Sequence, residues 1–347
     1  MNEVYMETKL ERVALFEILD KMKTLETDTI LLVVDEKVWS YYKDRFDIDK
    51  ISKFKKVNLW VAPRGEEAKR ISEYEKCMES FLEKGVHRNT HLVAIGGGGL
   101  SDFAGFVAST IVRGIKWSVV PTTLLSMVDA SIGGKVGLNS RYGKNLMGNF
   151  HIPENIWLCS DFLKTVPEDE IQSGLGEVIK YSFLSKSIFE MVKNRQPLED
   201  IIQACAHHKL DITKQDLRDG NIRKVLNLGH TLGHALEKAF SLKHGVSVFW
   251  GMVLVFHLFD NEKSLDDLRI IKECLNWKND VPPWSVGSVP VKKIISYIEK
   301  DKKIKSNNTI DLIQISDIGV PVVKEYMLNE LIARIEEVLN APSRLVL

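Results

Sequence analysis

Three histidines, His230, His234 and His244, fall within fifteen residues of this 347-residue chain. His230 and His234 stand four apart in Asn227-Leu228-Gly229-His230-Thr231-Leu232-Gly233-His234, on one face if the segment is helical. His244 lies in a Lys243-His244-Gly245 turn. Any one of these imidazoles alone reads as an ordinary hydrogen-bonded side chain. Together with one carboxylate, two of them make a zinc site that keeps a coordination position open for substrate. Zinc so held acidifies a bound hydroxyl or polarises a carbonyl. Spacing leaves open which two imidazoles bind, and whether the carboxylate is the nearby Glu237 or the distant Glu177, which Lys180 follows one helical turn later. His207 and His208 diverge in direction on a helix, and His208 reads as structural or exposed.

A second chemistry-bearing pattern is Gly96-Gly97-Gly98-Gly99, which follows an apolar run and precedes Asp102, Phe103, Gly105, Phe106 and Ala108. Residues without side chains let the backbone approach a pyrophosphate, and the amino end of a helix adds unpaired N–H groups. That order suits a dinucleotide, although it is not the GxGxxG fingerprint. Downstream, Arg113-Gly114, Asp129-Ala130-Ser131-Ile132-Gly133-Gly134-Lys135 and Gly143-Lys144-Asn145 place cations and an amide beside glycine turns, which suits phosphate. A single Lys in such a place is usually a solvated surface residue. Lys209 and Arg223 are further cations suited to a substrate carboxylate.

These residues need elements to hold them. Thr29–Asp35, residues 55–62 and Thr90–Ile95 read as buried strands, with helical spacing over residues 66–84, which is a nucleotide-binding order. After Pro167 strand-like runs become rare and amphipathic segments dominate, over 168–193 and 198–214. Residues 312–320 read as one late strand or an extended loop. The expected architecture is an α/β nucleotide-binding domain over 1–166 and a mainly α-helical metal-binding domain over 167–347. Two domains are the default at this length, and a cleft between domains is a natural ligand site. Forty-seven basic and forty-seven acidic residues balance, so no general drive toward nucleic acid exists and anion sites must be local. No apolar run spans a bilayer, and the amino terminus lacks a basic start with an apolar run, which argues against a secretory signal. Cys77, Cys159, Cys205 and Cys274 are scattered and read as reduced thiols of a cytoplasmic protein.

The blocks GGGGLSDFAGFVAS, RGI, PTTLLSMVDASIGGKVG, GKNLMG, GEVIK, RKVLNLGHTLGHALE, KHG and DKK resemble the 3-dehydroquinate synthase family in content and order. The resemblance implies a homodimer that uses NAD and Zn2+, or Co2+ in its place, to convert a seven-carbon keto-acid sugar phosphate into 3-dehydroquinate. It implies Glu177, His230 and His244 as metal ligands. Lys135, Asn145 and His234 would hold the substrate phosphate, with Lys303 or Lys302 and Arg113 of the second subunit. Lys209, Arg223 and Asn227 would face the carboxylate, and Asp129 and Lys180 the reacting hydroxyls. For NAD it implies Asp35, Glu66, Lys69, Gly97, Gly98, Asp102, Thr122, Thr123, Lys144, Phe162, Thr165 and Glu170. Ser101, Val136, Val246 and Lys37 depart from the family pattern. Another sugar phosphate cyclase, such as a 2-epi-5-epi-valiolone or 2-deoxy-scyllo-inosose synthase, and a metal-dependent NAD alcohol or glycerol dehydrogenase are the competing readings.

Overall fold

The computed structural model describes residues 7–285, 289–300, 303–341 and 345. The first six residues and Lys302 lie outside them. The chain divides into two compact units, Met1–Val166 with Lys209–Arg218, and Pro167–His208 with Asp219–Leu347. No helix among the described residues is long and apolar enough to cross a membrane.

The first unit is built on β1 (Lys9–Arg12), α1 (Glu17–Thr24), β2 (Thr29–Asp35), α2 (Glu36–Tyr42), α3 (Ile48–Ser52), β3 (Lys56–Ala62), α4 (Ile71–Glu83), β4 (His91–Gly96), α5 (Gly98–Thr110), β5 (Lys116–Pro121), β6 (Lys135–Ser140), β7 (Gly143–Phe150) and β8 (Asn155–Leu158). Six of these strands form one sheet in the order β1-β8-β5-β4-β2-β3, every neighbouring pair parallel. β2 and β4 are buried along their whole length, so both read in the sequence as unbroken apolar runs rather than as an alternation. The chain leaves β2 outward to β3 and leaves β4 in the opposite direction to β5, which makes the β2/β4 pair the switch point of the sheet. In open α/β sheets a ligand sits outside the carboxyl ends of strands at such a point. Asp35 ends β2 and Gly96 ends β4, with Val34 paired to Ile95 just before them.

The expected strands at 29–35, 55–62 and 90–95 appear as β2, β3 and β4. The helix expected over 66–84 is divided: Gly65–Lys69 is a 3-10 turn, Arg70 is extended, and α4 begins at Ile71. β6 and β7 form a separate antiparallel hairpin, Lys135 facing Phe150.

The second unit contains α6 (Glu168–Leu184), α7 (Lys186–Lys193), most of α8 (Leu198–Gln215), α9 (His230–Phe240), α10 (His244–Leu258), α11 (Glu262–Cys274), α12 (Val291–Ile298), β9 (Thr309–Asp317), β10 (Val320–Met327) and α13 (Leu328–Asn340). The amphipathic stretch 168–193 breaks at Ser185, which is extended and whose hydroxyl accepts the Ile188 N–H to cap α7. The late apolar segment is a strand paired in an antiparallel hairpin, β9 with β10. α10 is apolar around its circumference and buried from Gly245 to Phe256, as befits a central helix. Each large apolar side chain it buries contributes about 1.5–3 kcal/mol.

Candidate functional site

In the second unit three helices meet at glycines. A carbon added at Gly245 of α10 would collide with the Ser173 carbonyl of α6, and one added at Gly176 would collide with Gly245 itself. Gly233 of α9 packs in the same way, its added carbon falling 2.7 Å from the Ser247 oxygen of α10. Backbones this close carry the residues next to those glycines to one point: Glu177 follows Gly176, His230 follows Gly229, and His244 precedes Gly245. Their ligand atoms lie within 4.8 Å of one another.

The fit to a metal can be tested on distances. Four donors about 2.1 Å from a tetrahedral zinc stand about 3.4 Å apart. Glu177 Oε1 is 3.2 Å from His244 Nε2 and 3.5 Å from His230 Nε2. Glu177 is fully buried, and a carboxylate at that depth is ionised only beside positive charge. Lys180, also buried, supplies some of it at 2.5 Å from Oε2. The field acts on the imidazoles too. Burial depresses the His230 pKa far below its ordinary value, helped by the charges of Lys180, His244, His234 and Lys303. Burial also acts to lower that of His244, but its bonds to Glu177 and Glu237 win and raise it to about 9. Two imidazoles and one carboxylate match the donor set of an open, catalytic zinc site. His234, Glu237 and His244 form a second possible set.

In the first unit, Lys69 is 1% exposed and its ammonium lies 2.6 Å from Asp102 Oδ2 and 4.0 Å from Glu66 Oε2, and it donates to Asn145 Oδ1. Burial raises the Asp102 pKa to about 6, with Lys69 opposing. Glu66, Lys69, Asp102 and Asn145 are thereby brought together beside the glycine turn, where a carbon on Gly99 would fall 2.7 Å from the Gly65 oxygen. Asn139 completes the group: its amide donates to Glu66 Oε2 at 2.6 Å and its oxygen accepts the Asn145 N–H at 3.0 Å. Sequence reading missed it, and a polar residue facing Gly143-Lys144-Asn145 across a hairpin was the available signal. Gly97 caps α5, with Gly98 starting that helix, and Thr122 donates its N–H to the Gly96 carbonyl at 3.0 Å. Thr123 bonds Ser126. Asp35 caps α2, Oδ1 accepting from Lys37 N and Val38 N. Lys209 Nζ reaches the Asp129 carbonyl at 2.7 Å and its Oδ1 at 3.0 Å.

The remaining expected residues differ in burial and in partners. The Phe162 ring is buried against Tyr42 and Phe46, and the Thr165 hydroxyl lies 3.1 Å from the Tyr42 hydroxyl. Lys135, Lys144 and Arg113 are exposed. Arg113 sits in a run of three positive-φ residues, Val112 at 42°, Arg113 at 69° and Gly114 at 108°. A β-branched residue there costs about 1–3 kcal/mol. In the second unit Glu170 and Asp169 pair with Lys243, Arg223 is buried, Asn227, His234 and Lys303 are half-buried, and the His208 ring meets Tyr181 edge-on. The departures are accommodated: Ser101 donates to the Gly98 carbonyl, Val136 and Val246 are buried, and Lys37 lies over the Tyr41 ring.

Comparison with known proteins extends this. Residues 59–173 match the family described as 3-dehydroquinate synthase N-terminal and residues 174–304 the family described as 3-dehydroquinate synthase C-terminal. A 3-dehydroquinate synthase of Staphylococcus aureus is 35% identical over 314 residues, 86% of each chain. One of Pyrococcus furiosus is 43% identical over 222 residues, covering 60% of this chain and 66% of that one. The 2-epi-5-epi-valiolone synthase of Streptomyces hygroscopicus subsp. jinggangensis 5008, solved with NAD+ and Zn2+ bound, superposes with a TM-score of 0.81 at 22% identity, covering 98% of each chain, which shows a shared fold. The chain therefore belongs to the 3-dehydroquinate synthase family.

Proposed function

We propose that this chain is a phosphate-eliminating lyase that converts 3-deoxy-D-arabino-heptulosonate 7-phosphate to 3-dehydroquinate and phosphate, acting as a homodimer in the cytoplasm. The observation that carries the reading is the Glu177, His230 and His244 donor set at zinc spacing, with the buried Lys180 ammonium against Glu177. Residues 1–166 form the NAD-binding domain in this reading, and 167–347 the metal- and substrate-binding domain. When bound, Zn2+ supplies Lewis acidity for a secondary alcohol and NAD+ a hydride acceptor that is restored within the turnover.

The chain's own residues bind and orient. Lys209, Arg223 and Asn227 hold the substrate carboxylate, while Lys135, Asn145, His234, Lys303 and Arg113 of the second subunit hold the phosphate. Gripping both ends of the substrate keeps its carbons where the ring closes, which removes much of the entropic part of the barrier. Lys180 and Asp129 hold or accept protons at the reacting hydroxyls. Asp35, Glu66, Lys69, Gly97, Gly98, Asp102, Thr122, Thr123, Lys144, Phe162, Thr165 and Glu170 bind NAD+. The test supplies the seven-carbon acid phosphate with Zn2+ and NAD+ in catalytic amount, and follows phosphate, dehydroquinate and absorbance of NADH. Stoichiometric phosphate and dehydroquinate without net NADH is the expected result. Net NADH accumulation would sink the reading in favour of a dehydrogenase.

A further inference from the structure

We propose that Glu237 is a positioning residue for the metal site: it holds the His244 ring by Nδ1 so that Nε2 is the atom offered to the ion. The inference rests on Glu177, His230 and His244 being the metal donors. His244 is held between two carboxylates, with Nδ1 3.4 Å from Glu237 Oε2 and Nε2 3.2 Å from Glu177 Oε1. His230 shows the same arrangement with a backbone acceptor, Nδ1 lying 3.1 Å from the Leu228 carbonyl and Nε2 facing Glu177. In both rings an oxygen stands where it accepts the Nδ1–H, which makes Nε2 the nitrogen offered to a metal. An acceptor behind a ligating imidazole fixes its tautomer and makes it a stronger donor.

The position of Glu237 on α9 explains how one residue can serve this role. His230, His234 and Glu237 follow each other at spacings of four and three, so they form one stripe on the helix. The ring centroid of His244 is 5.2 Å from that of His230 and 5.9 Å from that of His234, so His244 approaches this stripe from α10. Glu237 is 28% exposed, whereas Glu177 is fully enclosed. The enclosed carboxylate is shut off from bulk solvent, which suits a donor to an ion. The outer one is suited to orienting a ring.

The experiment measures zinc affinity of chelator-stripped protein by competition with a chromophoric chelator, together with the visible spectrum of the Co2+-loaded form. The variants are Glu237→Gln, Glu237→Leu and Glu177→Gln. Glu237→Leu is expected to bind one zinc per chain about 10- to 100-fold more weakly, with a shifted Co2+ spectrum. Glu237→Gln, which keeps an acceptor without the charge, should fall between it and the parent. NAD+ affinity should be unchanged in both, which separates ring positioning from loss of fold. Glu177→Gln should lose stoichiometric zinc. Zinc affinity within twofold of the parent and an unmoved Co2+ spectrum in both Glu237 variants, with zinc lost in Glu177→Gln, overturns the positioning role and leaves the metal donors standing. Zinc lost in Glu237→Gln but kept in Glu177→Gln overturns the donor assignment itself.

Discussion

His91 is a buried imidazole outside the catalytic chemistry, and it ties three strands together at their amino ends. Its Nε2 lies 2.8 Å from Ser118 Oγ, which also accepts from Asn155 Nδ2 at 2.8 Å. Burial pushes its pKa down to about 4, aided by Lys116 and Lys55 and opposed by Glu154. The unfolded chain takes up this proton near pH 6.5 and the folded one only near pH 4, so stability rises with pH across that window and is lost as pH falls through it. At 3% exposure, the full shift corresponds to a loss on the order of 3 kcal/mol. Urea midpoints at pH 4.5, 5.5 and 7 should decline with acid in the parent and decline less steeply in His91→Gln. Equal slopes would remove His91 from the account. Nothing in Thr90-His91-Leu92 announces this role, because its cause is burial beside residues 27 and 64 positions away.

At the scale of elements, the candidate metal donors Glu177, His230 and His244 are placed by helix crossings that only glycine permits. Gly245→Ala puts a methyl group into the Ser173 carbonyl of α6. The helices must separate, at a cost of about 1–3 kcal/mol for overpacking, and the separation carries His244 away from Glu177. Zinc affinity should fall at least tenfold while NAD+ affinity holds, as isothermal titration of each ligand would show. Unchanged zinc binding would mean that the crossing does not set the site. Elements with a strong periodic or apolar pattern were legible in the sequence, as with β2, β4 and the stretch over 198–214. The break at Ser185 was not, since a serine inside an amphipathic run gives the same period on either side of a cap.

For the whole molecule, two units and two ligands make a prediction about where stability resides. Chelation should speed amide exchange in peptides from α6, α9 and α10, because a bound metal stabilises only the region that holds it. Peptides from β2 and β4 should be unaffected by the chelator and protected by NAD+, whose stabilisation is about 2.7 kcal/mol at a hundredfold excess over Kd. Uniform change along the chain on chelation would contradict this. Local pattern in the sequence by itself determined the α/β first half, the helical second half, the glycine turn and the presence of candidate chemistry near residue 230, because apolar period and glycine clusters are properties of neighbouring residues. It did not choose between Glu177 and Glu237. Glu177 is 53 residues from His230, and the family resemblance alone joined them, whereas the fold brings both carboxylates to His244. Tertiary structure decided which nitrogen of each ring faces the carboxylate, and that Asn145 meets Lys69 rather than standing apart. Such pairings depend on how closely backbones approach, and no periodicity along the chain records that.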